Sequence, residues 1–165
     1  MYEERHNIQQ DAYRKGDRMT ADEFLRQIET YDTLVDGKIN EREKLWQLAT
    51  KITVPTDREV VQTSGVSDKV GNIGAKLADI ERELDEIIDE YIDIHRECVS
   101  VIERLSDKPV EYAVIHKHYV LYKTFVEIEQ EEGYSYQGIM KIKERALNRI
   151  EGFLREKDAQ NQKCI

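Results

Sequence analysis

Residues 118–154 read HYVLYKTFVEIEQEEGYSYQGIMKIKERALNRIEGFL, and their spacing decides the fold: a short helix, a glycine turn, then a basic helix. Ile128 supplies the apolar residue of the first helix, Gly133 takes the turn, and Tyr134 is expected to plug it. Ser135 caps the next helix, on which Ile139 and Ile142 face inward. Glycine suits a turn position with φ > 0, and a serine N-cap satisfies orphan amides of the helix it starts. This is the register of a helix-turn-helix. Its second helix presents Tyr136, Gln137, Lys141 and Arg145 to a major groove, where Gln pairs with adenine and Arg with guanine. Lys123, Lys143 and Arg149 are placed to touch phosphates. Such helix pairs also occur in proteins that bind no DNA, where the same side chains form an exposed polar face.

Upstream of this stretch two long helices are expected. Thr20-Ala21-Asp22-Glu23 is a capping box, with the Thr and Glu three residues apart. From it Phe24, Ile28, Tyr31, Val35, Leu45, Ala49 and Ile52 fall on one stripe, interrupted by Lys38 and Arg42. Thr53-Val54-Pro55 ends that helix, because proline disfavours helix in the residue before it. After a polar connection at about 53–67, Val70, Ile73, Leu77, Ile80, Leu84, Ile87, Tyr91, Ile94, Cys98, Val101 and Leu105 alternate steps of three and four without a break. A sustained repeat of that kind specifies a coiled-coil seam, on a helix roughly 50–60 Å long at 1.5 Å per residue. Two such helices fold back most simply as an antiparallel hairpin. A single hairpin buries little, which predicts a homodimer through the coiled coil. Trp46, beside the first stripe, is expected to pack on the partner helix or on a second subunit. Ser106-Asp107-Lys108-Pro109 breaks the coil, with Asp107 or Lys108 at a helix cap and Pro109 in the first turn. The organisation read from the chain is an all-α fold: an N-terminal extension (1–18), a coiled-coil hairpin (19–105), a helix-turn-helix head (106–157) and a tail (158–165).

With 36% charged and 39% hydrophobic residues, the chain suits long exposed helices better than a large core. No apolar run approaches the ~20 residues that span a bilayer, and no signal-like apolar core follows the start. With Cys98 and Cys164 far apart, a cytoplasmic protein without disulfides or membrane contact is expected. The net charge of −9 is unevenly spread. Residues 79–93 hold eight acids against Arg82, whereas 135–149 hold Lys141, Lys143, Arg145 and Arg149 against Glu144, four minus one. An acidic chain with a basic tip still binds DNA, with repulsion elsewhere. The run at 79–93 reads as the solvated face of a coiled coil, or as a surface for a basic partner. His95 and Cys98 share a helical spacing that suits a metal, but Cys98 sits on the seam and no second pair completes a site, so a packed thiol and no cofactor are expected. No nucleophile-base arrangement or phosphate-cradling loop is present, which points away from an enzyme.

Met19 to Leu25, Ser67 to Gly71 and Tyr119 to Leu147 resemble a known family. The most specific matches are Tyr122-Lys123-Thr124-Phe125, Gly133-Tyr134-Ser135-Tyr136 and Arg145-Ala146-Leu147. The chain is similar to small phage and prophage regulators of Gram-positive bacteria whose C-terminal part resembles region 4 of sigma-70 factors, the ArpU-like and RinA-like proteins. The resemblance covers about residues 19–155. It implies DNA binding by the helix after Ser135 and activation of phage genes with host RNA polymerase. The chain departs from that pattern at Glu129 and Glu132, where relatives carry Ala and Leu or Met packed inside the helix pair. Either the two helices sit differently here, or each Glu reaches solvent. The rival expectation is a phage protein-binding inhibitor of a host nucleic-acid enzyme, with the acidic helices as its surface.

Overall fold

The computed structural model describes residues 19–53 and 65–161. The expectations for 1–18, for the connection 54–64 and for 162–165 fall outside them. Among the described residues the chain is all-α, with α1 (Ala21–Thr53), α2 (Gly65–Glu103), α3 (Pro109–Tyr119), α4 (Phe125–Glu132) and α5 (Tyr136–Asn161), and no strand. By packing they fall into two units: Glu29–Ile94, and the residues before Glu29 taken with those from His95 onward. Each is described by itself.

In Glu29–Ile94, α1 and α2 run antiparallel. Tyr31 donates to Glu90 at 3.2 Å and Lys38 meets Glu83 at 2.7 Å, so rising numbers on one helix meet falling numbers on the other. Lys38 occupies a seam position, and its ammonium leaves the seam to reach Glu83 and Glu41 while the stem stays half-buried. Those two carboxylates push its pKa up. The core of this unit is thin. Ile73, Ile80 and Leu84 are buried, but no residue of α1 between 29 and 51 is. Trp46 is 63% exposed. The expectation that it packs on α2 is therefore corrected: it follows the seam residue Leu45 by one position, on a flank the single pair of helices does not cover.

The other unit has the denser core. The Thr20 box forms as the sequence predicts: the Thr20 backbone N–H donates to Glu23 at 2.8 Å and the Glu23 N–H to the Thr20 hydroxyl at 3.3 Å. The first turns of α1 then bury Ala21, Phe24, Leu25 and Ile28, the last turns of α2 bury Cys98, Val101 and Ile102, and the turn after it buries Leu105. Truncating a fully enclosed Leu25 or Leu105 to Ala should cost about 2–5 kcal/mol. The chain turns at Ser106, and Pro109 opens α3 with Lys108 at the cap and no side-chain cap bond. There proline's missing N–H costs nothing. α5 continues to Asn161, past the position where a tail was expected. Arg104, just past the end of α2, binds Glu156 at 2.8 Å and lies 4.0 Å over the Phe153 ring, and Lys157 pairs with Glu97. These contacts give the last turns of α5 partners.

Candidate nucleic-acid interface

α4 is a two-turn helix that stands because both its ends are closed. Thr124 caps it in a reciprocal box with Glu127, whose carboxylate accepts from the Thr124 N–H at 2.7 Å. At the other end Gly133 takes φ 71, and its N–H donates to the Glu129 carbonyl at 3.0 Å. A Cβ there would meet open space, so the requirement for glycine is conformational rather than steric. Ser135 accepts the Gly138 N–H at 3.2 Å and opens α5. A Cβ at Gly138, inside the helix, would come within 3.3 Å of the Ser135 Oγ that makes this cap.

The pair is sealed by Ile128 of α4, Ile139 and Ile142 of α5 and Val114 of α3, with Val110 and Phe125 at the edge. Tyr134 does not plug the turn as expected; it is 42% exposed. The aliphatic cluster already fills the space beneath, and the ring facing α5 belongs to Phe125, which meets Tyr136 edge-on at 6.3 Å. The carboxylates at 129 and 132 reach the rim and are satisfied there. Glu129 accepts the Tyr136 N–H at 3.1 Å, and Glu132 pairs with Lys117 at 2.6 Å. Both are half-buried. Glu129 thus occupies the N-terminus of α5, where unpaired amides and the helix dipole favour an anion.

Tyr136, Gln137, Lys141 and Arg145 lie together on the exposed face of α5, which Met140, Glu144 and Asn148 complete. Those last three lie three or four residues from the four named above, so the helical period would have included them. Lys141 and Arg145 have no ion pair among the described residues. Ser135 is exposed, with its hydroxyl used as the cap.

The other three basic residues are placed differently. Lys143 is 12% exposed, binds Asp22 at 3.1 Å, and lies 5.2 Å from the Phe125 ring centre and 5.6 Å from that of Tyr119. Arg149 binds Asp107 at 2.9 Å and Glu111 at 3.0 Å. Lys123 pairs with Glu131, which also takes Lys117 at 2.7 Å. Each cation expected at phosphates already faces a carboxylate of its own chain.

The chain matches no known family model, no curated protein and no solved structure.

Two features of the site carry no sequence signal. The connection from α3 to α4 places Tyr122 at φ 53, a left-handed conformation that costs a non-glycine residue about 1–2 kcal/mol. The His116 carbonyl accepts from Leu121 at 3.2 Å, and the Lys117 carbonyl from Lys123 at 2.9 Å. His118 donates from Nδ1 to the Lys123 carbonyl at 3.1 Å and lies 4.2 Å from the Phe125 ring. Burial pushes its pKa down, outweighing that carbonyl, so the ring is neutral at pH 7. Among the described residues no group of three His, Cys, Asp or Glu could hold a metal ion, and no helix is long and apolar enough to cross a membrane.

Proposed function

We propose that the chain is a DNA-binding transcriptional regulator that lays the first half of α5 in the major groove of double-stranded DNA. One observation carries this reading: Gln137, Lys141 and Arg145 share an exposed face on the helix that follows a left-handed glycine turn and a serine cap. Gln137 and Arg145 have donor geometries that read adenine and guanine edges. The likeness to sigma-region-4-type phage regulators adds activation of phage genes with host RNA polymerase as partner. Two unpaired cations per copy make weak contact with a phosphate backbone, so a homodimer, the polymerase or both supply the remaining affinity.

A second reading is favoured by the charges. Seven of the eight acids in 79–93 are exposed, and Lys123, Lys143 and Arg149 are neutralised within the chain. An acidic helical surface of this kind fits a basic cleft on a nucleic-acid enzyme, as an inhibitor would.

The two separate in one experiment: binding of the purified protein to fragments of its encoding genome across a salt series, with a Lys141→Ala/Arg145→Ala variant beside it. Saturable binding to one promoter-proximal fragment that the variant loses supports the regulator. Absence of binding at low salt, with charge reversal along 79–93 abolishing activity in the host cell, overturns it in favour of the inhibitor.

A further inference from the structure

The structure leaves one flank of the Glu29–Ile94 unit uncovered, and we infer that a second copy of this chain covers it, with Trp46 at the centre of the contact. This deepens the homodimer reading given above and is independent of DNA binding. On α1 the positions one residue after the seam residues Tyr31, Lys38 and Leu45 are Asp32, Ile39 and Trp46. On α2 the positions one residue after Ile73, Ile80 and Ile87 are Gly74, Glu81 and Ile88. In an antiparallel pair these two sets lie on the same side of the seam. The Tyr31–Glu90 and Lys38–Glu83 contacts fix the register: Ile39 lies across from Glu81, and Trp46 across from Gly74. Ile39 is 38% exposed and Trp46 63%, and nothing stands within 4 Å of where a Gly74 Cβ would be.

Three observations select a second copy as the occupant. The unit lacks a closed core, since α1 buries no residue between 29 and 51, and a pair of helices so small buries only part of its apolar surface without a further layer. The flank joins the largest side chain type to a glycine with open space above it. That is the self-complementary pattern a twofold contact uses, the ring of each copy filling the gap over Gly74 of the other. The size also fits. Twenty-five residues of helix are about 37 Å long and two helices about 20 Å wide, close to the ~800 Å² that each partner contributes to a standard interface. The opposite flank exposes Leu34 and Leu48 among Glu41, Glu83 and Glu90, with no glycine gap across from them.

Trp46 is the only tryptophan, so its emission reports on this face directly. The test is mass by light scattering together with emission wavelength over a dilution series, for the full chain and for Ile39→Glu. The expected result is twice 19.4 kDa with short-wavelength emission, both reverting on dilution. Ile39→Glu should give one chain with long-wavelength emission at every concentration, its helical circular dichroism retained. A wild-type monomer at all concentrations would overturn both the homodimer and this face. A dimer with long-wavelength emission that survives Ile39→Glu would keep the homodimer and overturn the face. Short-wavelength emission from a monomer, or a shift seen only with an added protein, would also overturn it.

Discussion

Lys143 of α5 and Asp22 of α1 form an ion pair at 3.1 Å, and the lysine is almost enclosed. The same carboxylate accepts from the Tyr119 hydroxyl of α3 and pairs with Arg26 at 2.7 Å. A residue from the first turn of α1 therefore ties down the helix that carries the candidate DNA-reading face.

Asp22 should make the protein acid-sensitive. Burial alone would raise its carboxyl, but hydrogen bonds from Tyr119, Arg26 and Lys143 outweigh it and hold it well below the usual carboxylate range. A folded-state value below the unfolded value of about 3.9 means a contribution fully present above that pH and lost as pH falls through the folded value. Asp22→Asn should lower stability by about 1–3 kcal/mol at pH 7. The gap to wild type should close as melts are taken down from pH 4. A constant gap would show that the charge is not what stabilises.

Salt dependence counts the free cations. With only Lys141 and Arg145 unpaired on the α5 face, log K against log salt should have a slope of about −2 per copy, and Lys141→Ala should remove about one unit. Lys123→Ala and Arg149→Ala should leave the slope unchanged and lower the melting temperature instead. A slope of −4 or steeper per copy would mean that the intramolecular pairs open on DNA.

Glu129 sits where a phosphate would approach the start of α5. Glu129→Gln keeps an acceptor for the Tyr136 N–H and removes the charge. Affinity for DNA should rise about two- to fivefold, the range of one charge at a helix end, with little change in melting temperature. Unchanged affinity would place the phosphate path elsewhere.

The two glycines of the turn should respond differently to Ala. Gly133→Ala forces a Cβ into φ 71 and should cost about 1–2 kcal/mol. Gly138→Ala gains about 1 kcal/mol of helix propensity but crowds the Ser135 cap, worth about 1 kcal/mol, so its melt should stay near wild type.

Cys98 should be inert in the folded protein. Burial pushes its thiol up to about 12, and the Sγ donates to the Phe24 carbonyl at 3.5 Å. Iodoacetamide at pH 8 should leave the peptide containing Cys98 unmodified by mass spectrometry until denaturant is added. Labelling at native rates would show that α1 and α2 part there.

Local rules made much of this molecule legible from its residues. The Thr20–Glu23 box, the seam from Ile73 to Leu105, the Pro109 start, the Gly133 turn and the Ser135 cap each depend on neighbours within about one helical turn, so their side chains and spacing sufficed. The face of Tyr136, Gln137, Lys141 and Arg145 follows from the same period.

What only the tertiary structure decided are the pairings between residues far apart in the chain. Lys143, Arg149 and Lys123 look alike in sequence to Lys141 and Arg145. Their separation depends on Asp22, Asp107 and Glu111, and Glu131 arriving beside them, and helical periodicity carries no information about which helix packs on which. The same holds for Glu129, at a position the resemblance to phage regulators puts inside the helix pair and packing puts on the Tyr136 amide, and for Trp46, left outside by a two-helix seam too narrow to cover its flank. Sequence determined the helices and their faces. Three-dimensional proximity of opposite charges determined which cations remain to meet a ligand.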